Sequence, residues 1–270
     1  MRRVNVLLVA LAVAATLPIA GAEAGVGHRL APDLGMAAPR HVTLCGLPND
    51  SDVCPDIVSG GTRLLRFSAT IQNTGRGPLR IQATRACPDC DTMTTVQGIL
   101  RSDGTWRTIP SPATVLFETN DDHYHWHVQG MEGYALWPLE ASAAEPAVSD
   151  KYGFCFFDGR HVRPGMAASP AAPVYRFGDC GIPNSTELDI GLSVGWGDRY
   201  GWDFHGQFID VTTVADGEYL LCLSADATGA YVERNDDNND SWAEITIAGD
   251  AVTVLAKGRT SCSTRLEAIG

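Results

Sequence analysis

Lysine is scarce in this chain of 270 residues, and so is positive charge of any kind. Only Lys151 and Lys257 are lysines among 20 basic residues, while 32 acidic residues bring the formal net charge to −12. A surface of this sign repels nucleic-acid phosphates, so we expect no nucleic-acid partner. It attracts cationic solutes, which suits an amine substrate but is also ordinary for a protein that only has to stay soluble.

Long apolar runs are absent after the first two dozen residues, so we predict no membrane-spanning helix there. The opening stretch, "MRRVNVLLVALAVAATLPIAGAEAG", has two arginines, an apolar run of roughly 15 residues and the small-residue pattern Ala22-Glu23-Ala24. These features are typical of a secretory signal peptide. We therefore expect residues 1–24 to be a signal peptide, and residues 25–270 to form one exported, extracellular domain.

Eight cysteines in an exported chain favour disulfides over metal thiolates, because an oxidising compartment oxidises paired thiols. The spacing does not fix the pairing, but we expect local pairs. These are Cys45 with Cys54, Cys87 with Cys90, Cys155 with Cys180, and Cys222 with Cys262. The alternative is a zinc site formed by Cys45, Cys54, Cys87 and Cys90, which export makes the weaker interpretation.

Short alternating segments predict strands, and no long segment has the periodicity of a helix. In "LLRFSATIQNTGRGPLRI" the apolar residues Leu65, Phe67, Ala69 and Ile71 alternate with polar ones, which predicts a strand with one buried face. Similar runs bounded by turn residues recur along the chain. We predict an all-β fold, a sandwich of short antiparallel strands, with a mostly irregular lead to about residue 60 and long loops within residues 158–200.

The acidic segment "ERNDDNND" allows two interpretations. Clustered carboxylate and amide oxygens are calcium ligands, but the spacing does not match the twelve-residue calcium loop. A solvated turn that closes a hairpin is the better interpretation.

Three of the seven histidines stand at every second position, in "NDDHYHWHVQGMEGY". In a strand, His123, His125 and His127 project from one face, and the apolar residues between them project from the other. Imidazole binds copper, zinc, nickel or iron, and a site with three histidines leaves positions open for water, substrate or oxygen. The pattern predicts a reactive metal site; the spacing does not distinguish copper from zinc, and zinc would favour hydrolysis.

The rarity of lysine draws attention to Lys151, which lies in "SDKYGFCFFD" beside a Phe-rich strand. Arginine serves wherever only a positive charge is needed, whereas lysine can act as a nucleophilic amine when it is partly buried. The amine of Lys151 is thus a candidate reactive group. Chance retention of two lysines is an equally simple explanation on this evidence alone.

Together these segments resemble the catalytic domain of the lysyl oxidase family, as a bacterial-type secreted member. The histidine alternation followed by "VQGMEGYAL" is similar to the family's copper segment, and "KYGFCFFD" to the segment with its cofactor lysine. "GDRYGWDFHGQFIDVTTVADGEYLL" is similar to the segment with its cofactor tyrosine. The resemblance runs from about Leu30 to Cys262.

The resemblance implies a copper-dependent amine oxidase that uses molecular oxygen to convert primary amines, small or on protein lysines, into aldehydes, ammonia and hydrogen peroxide. It implies copper held by His123, His125 and His127. It also implies the cofactor lysyl tyrosylquinone, made from Lys151 and Tyr200, and Asp198 as a candidate general base.

One departure from vertebrate members is that Gly133 precedes Tyr134, where those members have a histidine. A proton-transfer role for that histidine has no counterpart here. The alternative functions are a non-catalytic extracellular protein that binds copper and, as a third possibility, a zinc hydrolase.

Overall fold

In the computed structural model, three antiparallel sheets pack around a shared core. The structure describes residues 27–46, 54–57, 59–119, 124–140, 145–151 and 153–269, so the predicted signal peptide lies outside the described residues. The described part contains 18 strands, and its only α-helix is α1, Cys262–Ile269. None of its helices is long and apolar enough to cross a bilayer.

The strands are short, as their alternating patterns predict. In chain order they are β1 (Arg29–Leu30), β2 (Leu34–Met36), β3 (Arg40–Cys45), β4 (Leu64–Asn73), β5 (Leu79–Arg85), β6 (Thr92–Arg101), β7 (Trp106–Glu118), β8 (His125–Gln129), β9 (Glu132–Pro138), β10 (Ala147–Val148), β11 (Gly153–Phe154), β12 (Arg160–His161), β13 (Glu187–Leu192), β14 (Trp196–Tyr200), β15 (Phe208–Asp210), β16 (Gly217–Ala225), β17 (Asp240–Ala248) and β18 (Ala251–Gly258).

The first sheet has the order β11-β8-β7-β6-β5-β13, with β1 paired to β6, and the second has the order β10-β9-β16-β17-β18. The third has the order β12-β14-β4-β15, and β2 and β3 also pair with β4. One continuous buried cluster draws side chains from all three sheets, among them Phe67, Val115, Trp126, Leu221 and Ile245. The predicted all-β sandwich is confirmed.

Strand β4 shows where the prediction of one buried face was incomplete. Leu65, Phe67, Ala69 and Ile71 are fully buried, as the alternation indicates. The polar residues on the opposite face are mostly buried too. One of them is Arg66, whose guanidinium donates to the carbonyls of Trp202 and Phe204. Strands on both sides and the loop after β14 cover much of β4, so protein groups replace part of the water on its polar face.

Two segments expected to be irregular contain strands. The lead to residue 60 contributes β1, β2 and β3, and residues 158–200 contain β12, β13 and β14 and a short 3₁₀ helix, Phe177–Cys180. All of these strands except β12 pair with a strand whose pattern is clear, and β2, β3 and β14 all pair with β4. Tertiary pairing has overridden a glycine- and proline-rich local sequence.

The acidic segment connects β16 to β17, as predicted for a turn, and its middle residues 234–237 are exposed. Its ends are anchored, because Glu233 accepts from the backbone N–H of Leu34 and Asn238 donates to Asp33 at 2.9 Å. The segment is therefore less solvated than expected. No three histidine, cysteine or acidic side chains of the described residues surround a common metal position.

All four predicted disulfides are present: Cys45–Cys54, Cys87–Cys90, Cys155–Cys180 and Cys222–Cys262. The alternative zinc site is excluded, because its four thiols are consumed in two of these bonds. Cys155–Cys180 joins the segment after β11 to the 3₁₀ helix, and both segments border the cavity described below.

We expect Phe67→Ala to lower the free energy of unfolding by about 3–5 kcal/mol, because Phe67 is fully buried and its ring packs edge-on against Tyr134. Denaturant titration measures the change. The matched control is Leu255→Ala, at a side chain that is 53% exposed, where we expect a change within about 0.5 kcal/mol. Equal losses in both variants would contradict the placement of the core.

Candidate active site

Strand β8 presents two of the three predicted metal ligands on one side. Nε2 of His125 and Nε2 of His127 are 2.9 Å apart, and His127 is buried. On the other side Trp126 and Val128 are fully buried, and the Trp126 indole N–H donates to the carbonyl of Ile182 at 2.9 Å. The core thus anchors the strand through its apolar side and leaves the two imidazoles facing each other.

The two imidazoles fit a shared metal ion. A separation near 3 Å is what two nitrogens have when each binds the same ion at about 2.0–2.1 Å. Imidazole ligands suit copper as well as zinc. The third predicted ligand, His123, lies outside the described residues.

Lys151 and Tyr200 are far apart in the chain and adjacent in the fold. Nζ of Lys151 lies 5.3 Å from the centroid of the Tyr200 ring and 5.1 Å from that of Phe154. The Tyr200 hydroxyl donates to the carbonyl of Cys155 at 2.5 Å, and the Phe154 ring packs edge-on against the phenol at 4.7 Å. The phenol is held from two sides, with the amine beside its ring.

Asp198 precedes Tyr200 by two residues on β14, so both side chains project from the same face. Asp198 is 3% exposed, and its Oδ1 accepts from the backbone N–H of Arg199 at 2.8 Å. Its Oδ2 has no hydrogen-bond partner among the described residues. Burial raises the pKa of Asp198 well above its ordinary value, and the charge of Glu132 raises it further. This carboxyl therefore holds its proton more tightly than an exposed aspartate does.

Glu132 is a second buried carboxyl, which our sequence analysis missed. It begins β9, is 1% exposed and accepts a hydrogen bond from the Tyr134 hydroxyl. Burial raises the pKa of Glu132 to about 7, although the Tyr134 hydroxyl and the charge of Lys151 oppose the shift. A signal existed: Glu132 shares the inward face of β9 with Tyr134 and Leu136, so the alternation places a carboxylate in the core.

Three of these residues, His125, Asp198 and Tyr200, border one cavity of about 320 Å³. Its polar end carries His125, Asp198 and Tyr200, and its walls include the rings of Phe157, Phe177 and Phe204. Phe177 and Phe204 are 57% and 46% exposed, so the aromatic part of the cavity faces solvent. Such a cavity can pack an alkyl chain between rings and bring a polar group at its end to the buried carboxyl and phenol.

We expect Glu132→Gln to gain stability relative to the wild type as the pH rises from 4 to 7.5. A carboxyl whose pKa is about 7 when folded and 4.5 when unfolded binds its proton more tightly in the folded state, so the wild type loses about 3 kcal/mol over this range. Glutamine has no such loss, and its carbonyl can still accept from Tyr134.

Denaturant titration of the copper-free proteins at both pH values checks this. At pH 4 the glutamate is mostly neutral, so the difference there measures the substitution itself. A variant-to-wild-type difference that does not change between the two pH values would contradict the buried position of Glu132.

Comparison with known proteins identifies a family. The family model described as lysyl oxidase matches residues 93–256, more than half of the chain. The match begins in β6 and ends in β18, so it includes the histidines, Lys151, Tyr200 and both buried carboxyls. No curated protein sequence matches the chain.

Proposed function

The chain belongs to the lysyl oxidase family, and from this we propose that it is an exported, copper-dependent amine oxidase. The reaction converts a primary amine, dioxygen and water into an aldehyde, ammonia and hydrogen peroxide. The amine is carried by a small molecule or by a protein lysine side chain. The observation that carries the proposal is the position of the Lys151 amine beside the Tyr200 ring, next to a cavity that also reaches His125 and Asp198.

Lys151 and Tyr200 are proposed to form the cofactor lysyl tyrosylquinone. The distance of 5.3 Å from Nζ to the ring centroid supports this, because rotation about the side-chain bonds of lysine can bring the amine to a ring carbon. When formed, the quinone supplies an electron sink that makes the α-carbon proton of a bound amine acidic. The Phe154 ring and the Cys155 carbonyl hold the phenol while the bond forms.

His123, His125 and His127 are proposed to hold the copper. The 2.9 Å separation of Nε2 of His125 from Nε2 of His127 supports a shared ion. His125 also borders the cavity that contains Tyr200, which supports a copper site close to the proposed cofactor. Copper suits imidazole ligands and can exchange electrons with dioxygen, which zinc cannot.

Asp198 is proposed as the general base that takes a proton from the α-carbon of the substrate. Its raised pKa makes the ionised carboxylate a stronger base than an exposed aspartate, and its Oδ2, which has no partner among the described residues, is available to receive the proton. The nearby carboxyl of Glu132 contributes by raising that pKa through repulsion. The phenylalanine rings at the mouth pack on the alkyl part of the substrate and exclude water from the base.

We propose that residues 1–24 are a signal peptide and that residues 25–270 form the secreted catalytic domain. The four disulfides support export, because such bonds persist in oxidising compartments.

Mass spectrometry of the mature protein is expected to find a covalent link between the peptides that contain Lys151 and Tyr200. Lys151→Arg removes the primary amine, so we expect neither the link nor peroxide release from simple amines. Lys257→Arg is the matched control: Nζ of Lys257 donates to the carbonyl of Pro39, away from the cavity, and we expect the link and the activity to remain.

Full oxidase activity in Lys151→Arg would refute the cofactor assignment. Bound copper without any cross-link in the wild type would favour the non-catalytic copper-binding protein.

We expect His127→Ala to weaken copper binding by more than about 100-fold, because it removes one of the three proposed ligands and leaves the imidazole of His125 without the neighbouring nitrogen. Competition with a chelator of known affinity measures the loss independently of activity. The control is His161→Ala, since His161 stacks on Trp196 and hydrogen-bonds to Ser169. Unchanged affinity in His127→Ala would exclude this residue as a ligand.

A further inference from the structure

A groove rich in arginine lies beside the proposed active site. It has a volume of about 760 Å³, and its charged and titratable lining residues are Arg40, Arg160, Arg163, Arg199, His41 and His161. None of the acidic residues that the structure describes lines it. This concentration of positive charge is unexpected in a chain with a net charge of −12, and the proposed oxidase chemistry does not use it.

The two sheet faces explain how the groove is built. On β4, Ala69 and Ile71 point into the core, whereas Ser68, Thr70 and Gln72 line the groove. Arg199 on β14 pairs with Thr70, and its Nη2 donates to the Ser68 hydroxyl at 3.1 Å. The groove therefore has a polar floor on a central strand, and one of its arginines is fixed in place by a hydrogen bond.

Carboxylates of the described residues do not neutralise these arginines. In the described part of the chain, none of the four forms a salt bridge, although Arg63, Arg80, Arg234 and Arg265 elsewhere do. Arg259 adds a further cation beside the groove, since it contacts Gln72. Burial lowers the pKa of Arg259, and the nearby charge of Arg163 lowers it further. Guanidinium groups that form no salt bridge within the protein are suited to bind the carboxylates of another molecule, through two parallel hydrogen bonds.

Arg199 connects the groove to the proposed active site, because it lines both the groove and the smaller cavity that contains Asp198 and Tyr200. We propose that the groove binds acidic side chains that flank the reactive lysine of a peptide substrate. This rests on the proposed function. The groove has more than twice the volume of the cavity, so it has room for the residues on either side of such a lysine.

The groove confers a selectivity opposite to that of the rest of the surface. The overall negative charge repels acidic proteins, so a focused basic groove gives a preference for lysines whose neighbours are acidic. Neutral peptides make no use of the guanidinium groups. The preference must also weaken as the salt concentration rises, because the groove is open to solvent and its contacts are screened.

The test uses two peptides, one with a single lysine flanked on each side by two aspartates, the other with asparagines in their place. We expect the wild type to oxidise the acidic peptide with a kcat/KM about fivefold higher, from partly exposed ion pairs. The double variant Arg160→Gln, Arg163→Gln is expected to lose this preference. Both side chains are exposed, so the fold tolerates the change. Arg107→Gln, at an exposed arginine on β7 outside the groove, should retain it.

Equal kcat/KM for the two peptides, or a preference that survives in the double variant, would overturn the inference and leave the proposed oxidase intact. If neither peptide is oxidised, the proposed function fails and calorimetric titration of the acidic peptide decides the groove separately. Binding that is tighter to the wild type than to the double variant supports it, and equal binding overturns it. A groove that binds inorganic phosphate but does not distinguish the peptides is a site for small anions, which also overturns the proposal.

Discussion

The antiparallel pairing of β14 with β4 is the constraint on which the candidate site depends. Tyr200 stands opposite Ala69 and Asp198 opposite Ile71, so the small alanine side chain leaves room for the phenol. Alternation along β14 sends Asp198 and Tyr200 into the interior and Arg199 to the opposite face. A shift of this pairing by one residue would exchange the two faces of β14, and the phenol of Tyr200 would no longer lie beside Lys151.

Burial raises the proton affinity of the two carboxyls in the candidate site. Asp198 and Glu132 are almost inaccessible to solvent, and in the described residues each has one carboxylate oxygen without a partner. Lys151 is the cation whose charge reaches Glu132. Two carboxyls that repel each other in a medium of low dielectric constant hold their protons more tightly than in water. The fold accepts this loss of stability at the position of the proposed general base.

The sequence predicted the features that local patterns determine. The alternation in β4 and β8, the four local disulfides and the two unusual lysines were all visible without coordinates. It did not predict what distant pairing determines. Strand β14 lies in a glycine-rich region that we expected to be loop, and its pairing with β4 gives it strand geometry. Arg66 was expected on a solvated face, but carbonyls of the loop after β14 bind it in the interior. Glu132 was overlooked because a single acidic residue at the start of a strand is usually exposed.

Cys155 contributes to the candidate site through both its side chain and its backbone carbonyl. Its side chain forms the bond to Cys180, and its carbonyl accepts the hydrogen bond from the Tyr200 hydroxyl. The bond therefore restrains the backbone group that orients the phenol. A newly made chain in a reducing cytosol lacks this restraint. If the chain is exported as proposed, this restraint on the phenol first arises in an oxidising compartment, after the chain has left the cytosol.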